Sequence, residues 1–267
     1  MDFKKVIFMC DLDGTLLTDD KKILPKDMEA IKRFRRKGGL FTAATGRGIA
    51  MANRVLGILE PDIPAVLFNG AAVYDFSREK FLWHGEIGSH AREYINYITE
   101  RFPEVAVEIL TEDTFYVPII NEEEQRHLDM GGIIPDRRPL SEIPDGGWLK
   151  FLFIGKPDII DKVEKTVHDC GFNDAQWVRS DSIFCECLPY GVDKSRGFAE
   201  LIRILNAEDK FSVAAGDYMN DLAMIKKARL GVAVGNALQP VKEAADLVVC
   251  DNNSGAVSEI IDYIEKL

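Results

Sequence analysis

Short apolar runs alternate with amphipathic stretches through the first part of the chain. A continuous apolar run is typical of a buried strand, and Met28, Ile31 and Phe34 recur at helical spacing ahead of a Gly38-Gly39 stop. The pattern predicts strands and helices in alternation, in chain order at residues 6–10, 26–37, 40–44, 48–59 and 65–68. This β-α-β-α-β order predicts a parallel sheet with helices on its faces.

The alternation of strand and helix patterns ends near residue 83 and resumes after Pro189. Between these points the pattern predicts helices at 91–102 and 159–170, strands at 149–154, 176–178 and 183–188, and a polar, Gly/Pro-rich stretch at 121–147. Beyond them it predicts helices at 195–205, 221–228, 241–245 and 256–267, and strands at 212–215, 231–234 and 247–250. The predicted fold is therefore α/β, with one doubly wound, Rossmann-like parallel sheet built from residues 1–83 and 189–267 and an α+β domain inserted at 84–188.

Composition and charge exclude several classes of function. Of the 267 residues 46% are hydrophobic, enough for a packed core, and 33 basic against 44 acidic residues leave a net charge of −11. A chain this acidic is a poor nucleic-acid binder, and an anionic substrate needs local positive charge or a metal. No run approaches the roughly 20 apolar residues of a membrane span, and the N-terminus lacks a signal-peptide pattern. Five scattered cysteines predict reduced thiols in a cytoplasmic protein.

Two carboxylates follow the first predicted strand, in Asp11-Leu12-Asp13-Gly14-Thr15. Residues two apart in an extended chain face the same side, and an oxygen-rich corner of this kind suits Mg²⁺. One Asp could attack phosphorus while the other donates a proton to the leaving group. A solvated turn at the end of the strand would use the same residue types.

Three further polar segments lie at strand ends or helix starts. The first, Thr45-Gly46-Arg47, combines a hydroxyl, a flexible backbone and a guanidinium suited to phosphate. Lys194 stands at a helix start, where a cation is unfavourable unless it neutralises an anion. Asp217 and Asp221 share one face of a helix start. Each segment alone has an ordinary explanation as a cap or surface group, but all four on strand ends of one sheet indicate a phosphate-handling site.

These segments resemble the motifs of the haloacid-dehalogenase superfamily of phosphatases, specifically its Cof-type group with an inserted α/β (type IIB) cap. Residues 11–16, 43–47, Lys194 and 216–224 resemble its four motifs, the last in the form GDxxNDxxM. Further matches are residues 69–71, residues 231–237 (GVAVGNA) and the tail from 245 to 257. The resemblance covers nearly the whole chain, and Ser195 departs from it where the family usually has Gly.

The resemblance implies a set of roles. Asp11 becomes an aspartyl-phosphate, Asp13 acts as general acid and then as base, and Mg²⁺ is held by Asp11, Asp217 and the backbone carbonyl of Asp13. It also implies that phosphate and substrate are bound by Thr45, Gly46, Arg47, Asn69, Lys194 and Asn220. In the same scheme Asp221 supports Lys194 or a metal-bound water.

From these roles we expect a Mg²⁺-dependent phosphatase for small phosphorylated metabolites, sugar phosphates or similar monoesters, with the insert closing over the site and selecting the leaving group. One alternative is a phosphohexomutase-type phosphotransferase, which would need a second phosphate site in the cap. Another is a non-catalytic phosphometabolite sensor, against which the set Asp11, Asp13, Lys194 and Asp217 argues. We expect no nucleic-acid or membrane partner, and a monomer or weak homodimer.

Overall fold

The computed structural model describes residues 1–267. The chain forms two compact units, one built from Met1–Trp83 and Asp193–Leu267 and the other from His84–Val192. None of its helices combines the length and the apolar composition that crossing a bilayer requires.

Thirteen strands and nine α-helices are numbered here in chain order. The strands are β1 Val6–Cys10, β2 Leu40–Ala43, β3 Ala65–Leu67, β4 Ala72–Asp75, β5 Lys80–His84, β6 Ala106–Thr111, β7 Phe115–Ile119, β8 Trp148–Ile154, β9 Ala175–Asp181, β10 Phe184–Pro189, β11 Phe211–Gly216, β12 Leu230–Ala233 and β13 Leu247–Val248. The helices are α1 Pro25–Arg36, α2 Ile49–Leu59, α3 Ala91–Arg101, α4 Glu122–Gly131, α5 Pro157–Asp169, α6 Lys194–Ile204, α7 Leu222–Lys227, α8 Gln239–Ala244 and α9 Ala256–Lys266.

A five-stranded parallel sheet in the order β13-β12-β11-β1-β2 forms the centre of the first unit. Every residue of β1 is buried, which explains why this strand is a continuous apolar run with no polar alternation. The register pairs Cys10 with Ala215 of β11 and with Ala43 of β2. Because these three strands are parallel and end at the same level, the residues that follow them meet at one edge of the sheet.

Helix α1 shows how the predicted apolar stripes are used. Ile31 and Phe34 are buried, and the helix ends before a glycine pair as the sequence predicts. Asp27 of the same helix is also buried, and its Oδ1 accepts a hydrogen bond of 2.7 Å from the backbone N–H of Ser258 in the first turn of α9. A carboxylate on α1 thereby satisfies a free amide at the start of α9.

The third strand departs from the predicted arrangement. β3 contacts the parallel sheet through a single bridge, between Ala44 and Val66, and pairs antiparallel with β4 in a separate three-stranded sheet, β3-β4-β5. No strands are predicted from the sequence at β4 and β5. β4 ends in Asp75 and no residue of β5 is fully buried, so neither shows the apolar run or the regular alternation that predicts a strand.

The second unit is an antiparallel sheet in the order β7-β6-β8-β10-β9 with helices packed against it. Side chains of α3 and α5, including Ile95, Ile98 and Val163, share an apolar cluster with Phe151 and Phe153 of β8. Helix α4 lies inside the stretch that is predicted from the sequence to be a polar connection. Its ten residues carry little apolar periodicity, and only the capping residues mark its ends, Asn121 and Gly132.

Buried ionisable groups lie between α4 and this sheet. Glu108, Glu124, Lys150 and Glu186 are all at most 4% exposed, and the Lys150 Nζ lies 3.0 Å from Glu186 Oε2. Neither carboxyl oxygen of Glu124 has a hydrogen-bond partner, nor does Glu108 Oε2, which lies 3.6 Å from His127 Nε2. Burial raises the pKa of Glu108 to about 8, against the opposing charge of Lys150, and raises the pKa of Glu124 to about 9 with the help of Glu108.

These raised pKa values predict a stability that falls with pH. In the unfolded chain a glutamate loses its proton near pH ~4.3, so between that pH and about 8 to 9 the folded state holds more protons and the free energy of unfolding declines. Glu124→Gln should flatten this decline, and at pH 9 should raise the free energy of unfolding by about 1 to 3 kcal/mol relative to wild type. Urea unfolding at a series of pH values measures the effect. The exposed neighbour Glu122 provides the control as Glu122→Gln, and equal pH slopes for both variants would contradict the prediction.

Candidate active site

The polar residues that the sequence singles out meet at the carboxyl edge of the parallel sheet. Asp11 follows β1 directly, and its backbone N–H donates to the Ala215 carbonyl of β11 at 2.9 Å. Thr45 follows β2 by two residues, and Asp217 follows β11 directly. Sheet register therefore brings together side chains that are more than 200 residues apart in the chain.

Lys194 joins two buried carboxylates at this edge. It is the first residue of α6, its side chain is 1% exposed, and its Nζ lies 2.6 Å from both Asp11 Oδ1 and Asp221 Oδ1. Burial alone would lower the pKa of Lys194, but the two carboxylates raise it above its ordinary value. Lys194 is therefore a fixed ammonium ion, which explains the cation at a helix start.

Asp221 uses both of its oxygens within the protein. Oδ1 contacts Lys194, and Oδ2 accepts hydrogen bonds from the backbone N–H groups of Asp217 at 2.9 Å and Tyr218 at 3.1 Å. The side chain is 1% exposed. Asp221 therefore holds Lys194 in place and shapes the turn that carries Asp217.

Asp217 sits against the loop that follows β1. Its Oδ1 accepts a hydrogen bond of 3.0 Å from Thr15 Oγ1. Gly14 has a φ of +80°, and a Cβ there would lie 2.5 Å from Asp217 Oδ2, so only glycine fits at this position. Burial, with the charge of Asp221, raises the pKa of Asp217 to about 7.

The donor set fits a divalent cation. Asp11, Asp217 and Asp221 each offer a carboxylate oxygen, and these atoms lie within 4.8 Å of one another. One ammonium faces three carboxylates, so negative charge remains in excess, and burial raises the pKa of Asp11 against the opposing effect of Lys194. A hard cation would neutralise this excess. Both oxygens of Asp221 already contact Lys194 or backbone N–H groups, so Asp11 and Asp217 are the carboxylates that could bind an ion.

Asp13 is held by Arg47. The guanidinium donates from Nε to Asp13 Oδ2 and from Nη2 to Asp13 Oδ1, both at 2.7 Å, and Lys21 Nζ lies 2.9 Å from Oδ1. Burial alone would raise the pKa of Asp13, but the Arg47 hydrogen bonds and charge, with Lys21, lower it to about 2. In this arrangement Asp13 is ionised. Arg47, expected on phosphate, instead makes a bidentate contact with this carboxylate.

Four more of the expected residues form a second group beside the first. The Thr45 carbonyl accepts from the Asn69 backbone N–H at 3.0 Å, and Asn69 Oδ1 accepts from Asn220 Nδ2 at 3.0 Å. A Cβ at Gly46 would lie 2.9 Å from Asn69 Nδ2, so the backbone passes close to that amide. Asn220 Oδ1 is buried and has no hydrogen-bond partner. The group combines a hydroxyl with two side-chain amides, residue types that can donate hydrogen bonds to an anion.

A strained turn presents Asn69. Phe68 and Asn69 both have positive φ values, 52° and 54°, in the left-handed region that costs a non-glycine residue about 1 kcal/mol or more. Gly70 follows at 101°, and a Cβ there would lie 1.9 Å from the Asp193 carbonyl. The turn therefore packs directly against the start of α6, where Lys194 begins.

Two residues that contact the site have no role predicted from the sequence. Thr15 lies inside the first motif, but only the fold shows that its hydroxyl reaches Asp217. Lys21 belongs to an unremarkable polar run, Asp19-Asp20-Lys21-Lys22, and nothing in that run marks it as the partner of Asp13.

Comparison with known proteins gives consistent matches along the chain. A family model described as haloacid dehalogenase-like hydrolase matches residues 8–261. The Bacillus subtilis protein YcsE, a 5-amino-6-(5-phospho-D-ribitylamino)uracil phosphatase, is 27% identical over an alignment of 257 residues that covers 95% of this chain and 93% of the relative. The Escherichia coli pyridoxal phosphate phosphatase YbhA is 25% identical over an alignment of 281 residues, gaps included, that covers 96% of this chain and 97% of the relative. In fold, the chain matches the subclass IIB sugar phosphatase BT4131 with a TM-score of 0.84 at 22% identity, over 98% and 99% of the two chains.

Proposed function

The chain belongs to the haloacid dehalogenase-like hydrolases and is a phosphatase of that family, and we propose that it hydrolyses small phosphate monoesters with Asp11 as nucleophile. The observation that carries this proposal is the set of buried Asp11, Lys194 and Asp221, with half-buried Asp217 beside them, at the carboxyl edge of the sheet. Buried carboxylates that hold an ammonium ion and still leave an excess of negative charge are costly unless they serve a reaction.

In the first step a carboxylate oxygen of Asp11 attacks phosphorus, and the bond between phosphorus and the ester oxygen breaks. Asp13 gives a proton to the departing oxygen, and Asp11 becomes an aspartyl-phosphate. In the second step Asp13 takes a proton from water, the water oxygen attacks phosphorus, and Asp11 is regenerated as phosphate leaves. Two such steps replace one difficult displacement.

The remaining residues position the phosphate and neutralise its charge. Lys194 stands 2.6 Å from Asp11 and offsets the repulsion between that carboxylate and an anionic substrate. We propose that Thr45, Gly46 and Asn220 contact the phosphoryl oxygens, and that Asn69 contacts the substrate beside them. Their mutual contacts fix these groups before substrate binds, so little ordering is needed on binding.

We propose Mg²⁺ as the cofactor, held by Asp11, Asp217 and the backbone carbonyl of Asp13. When bound, it supplies positive charge that draws the phosphoryl group and the nucleophile together. The carboxyl excess described above, with the raised pKa of Asp217, supports this assignment from the side of the protein.

Asp13 must change partners between its two roles. Bound to Arg47 it is ionised, which suits the base of the second step. To act as acid in the first step, Asp13 must separate from the Arg47 guanidinium, gain a proton and contact the leaving-group oxygen. We propose that binding of substrate phosphate draws Arg47 away from Asp13, so that one event both binds the phosphate and frees the acid.

The substrate is proposed as a small phosphorylated metabolite, a sugar phosphate or a similar monoester. Two relatives are named for pyridoxal phosphate and for a phosphoribitylamino-uracil, both small phosphate monoesters. We propose that the inserted residues 84–188 act as a cap that selects the leaving group. We also propose action in the cytoplasm, because all five cysteines are free thiols, as a reducing compartment permits.

Phosphate release from a panel of phosphorylated metabolites tests the function. We expect release from one or more members with Mg²⁺ and none with EDTA. A panel with no substrate would contradict the phosphatase proposal, and turnover that requires a bisphosphate activator would favour a mutase. Phosphate release that persists in EDTA would contradict the proposal that Mg²⁺ is the cofactor.

The Asp13→Asn variant separates the two steps. For an alkyl phosphate, whose leaving group needs a proton, kcat/KM should fall by roughly 10²- to 10⁴-fold. For p-nitrophenyl phosphate, whose phenolate leaves unprotonated, kcat/KM should fall far less. Because the variant lacks the base of the second step, it should release one equivalent of p-nitrophenol in a burst and then turn over slowly. Equal losses of kcat/KM for both substrates would contradict the assignment of Asp13.

A further inference from the structure

Two asparagines outside the site described above contact the loop that carries it. Asn252 lies near the C-terminus, in the short 3₁₀ helix Asn252–Ser254, and is 1% exposed. Its Nδ2 donates to the Leu17 carbonyl at 2.9 Å and to Asp19 Oδ1 at 3.1 Å. Both contacts are to the segment that follows Asp11, Asp13 and Thr15. A residue more than 230 positions away in the chain therefore holds the far end of this loop.

Asn236 carries the connection from Asn252 to Gly14. The backbone N–H of Asn252 donates to Asn236 Oδ1 at 3.1 Å, and Asn236 Nδ2 donates to the Gly14 carbonyl at 2.7 Å. Accepting at one end and donating at the other fixes the orientation of the Asn236 amide. Asn236 lies in the GVAVGNA segment, and the next residue but one, Leu238, donates its backbone N–H to the Asp217 carbonyl at 2.9 Å. The same short segment therefore contacts the loops of both Gly14 and Asp217.

The two carbonyls that these amides hold belong to residues beside the reacting groups. Gly14 follows Asp13 directly, and it fits against Asp217 with no room for a side chain. Leu17 forms a backbone bridge with Asp13 and another with Ile23. Fixing Gly14 and Leu17 therefore restrains the backbone of Asp13, through the peptide bond to Gly14 and through the bridge to Leu17. A displacement of about 1 Å in a reacting group can cost roughly 100-fold in rate.

We propose that Asn252 is a positioning residue for phosphoryl transfer. Its side chain restrains the backbone of Asp13 through Leu17, and its backbone N–H orients Asn236, which holds Gly14. This inference rests on the proposed function, because it assigns the asparagines to the placement of the general acid. Asn252 touches neither substrate nor the reacting atoms and acts only through the loop.

The adjacent residue, Asn253, provides a matched control. Asn253 donates from Nδ2 to Asp19 Oδ2 at 3.0 Å, and its Oδ1 accepts from the Asp19 backbone N–H at 3.1 Å. It is exposed, and it contacts neither Leu17 nor Asn236. Asn253→Ala therefore removes contacts to Asp19 alone, whereas Asn252→Ala also removes the Leu17 contact.

The test compares kcat/KM for an alkyl phosphate and for p-nitrophenyl phosphate in wild type, Asn252→Ala and Asn253→Ala. If Asn252 positions the acid, its loss lowers kcat/KM for the alkyl phosphate roughly tenfold or more beyond the loss for the nitrophenyl ester. A simple loss of folded protein would lower both values equally and leave their ratio unchanged. Asn253→Ala should keep the wild-type ratio, and Asp13→Asn sets the upper limit of the change.

A second variant covers the case in which Asn252→Ala does not fold. Asn236 is exposed, so Asn236→Ala keeps the core intact and should shift the ratio in the same direction by a smaller factor. An unchanged ratio in the folded variants, or an equal shift in Asn253→Ala, would overturn the proposal while leaving the phosphatase function in place. A wild-type protein that hydrolyses neither ester would instead overturn the function, and the positioning role with it.

Discussion

Replacing Asp11 by Asn is expected to abolish phosphate release while leaving the fold at least as stable as the wild type. The amide is almost isosteric but cannot attack phosphorus, so kcat should fall by at least about 10⁴-fold. The loss applies to alkyl and nitrophenyl esters alike, because no leaving group can substitute for the nucleophile. Phosphate release under saturating substrate measures the effect.

Stability should move in the opposite direction from activity. Asp11 is buried beside Asp221 and Asp217, and the variant removes one negative charge from a site that has an excess of them. Its remaining carbonyl oxygen can still accept a hydrogen bond from Lys194. We expect a thermal midpoint equal to or above that of wild type, as for other active-site residues whose function opposes stability.

The exposed residue Asp20 gives the control for this experiment. Asp20→Asn makes the same chemical change in the same loop and should leave both activity and the thermal midpoint unchanged. Substantial turnover by Asp11→Asn would contradict the nucleophile assignment. An inactive variant with a much lower midpoint would show that Asp11 is primarily structural.

Replacing Lys194 by Met is expected to damage both fold and activity. The side chain is 1% exposed and is the ammonium partner of Asp11 and Asp221, so its removal leaves two carboxylates unpaired in the interior. Breaking a buried ion pair by removing one partner costs about 3 to 5 kcal/mol. The loss of positive charge beside the nucleophile should also lower kcat by at least roughly 10³-fold.

A double variant separates these two effects. Lys194→Met with Asp221→Asn removes one of the orphaned charges and should recover part of the lost free energy of unfolding, without recovering activity. Urea unfolding and phosphate release, measured on the single and double variants, give both quantities. The exposed Lys226→Met on α7 is the control and should match wild type in both. Full activity in the double variant would show that Lys194 acts only by neutralising Asp221.

Much of the first unit could be predicted because most of its elements carry either a continuous apolar run or a regular apolar stripe. Strand β1 and helix α1 fall within a residue or so of their predicted positions, since a doubly buried strand and an amphipathic helix have unmistakable patterns. Strands β4 to β7 and helix α4 escaped prediction. Glu108 interrupts the apolar run of β6 and Pro118 lies within β7, and α4 carries buried Glu124 and Leu128 on an otherwise polar helix.

Strand ends and helix starts could be located from the sequence, because hydrophobic periodicity and residue type are local properties. Asp11, Asp217 and Lys194 are singled out only in combination, as charged residues at strand ends and at a helix start of one predicted sheet. Which atoms they contact depends on sheet register and side-chain packing, and these arise only when distant segments meet.

The tertiary structure alone decided the partners that set the chemistry. Arg47 holds Asp13, and Asn252, far away in the chain, holds the segment that follows Asp13. The carboxyls of Asp13 and Asp217, which the sequence cannot distinguish, consequently have pKa values of about 2 and about 7. The physical reason is that pKa values and hydrogen bonds depend on burial and on charges within a few ångströms, and long-range contacts supply both.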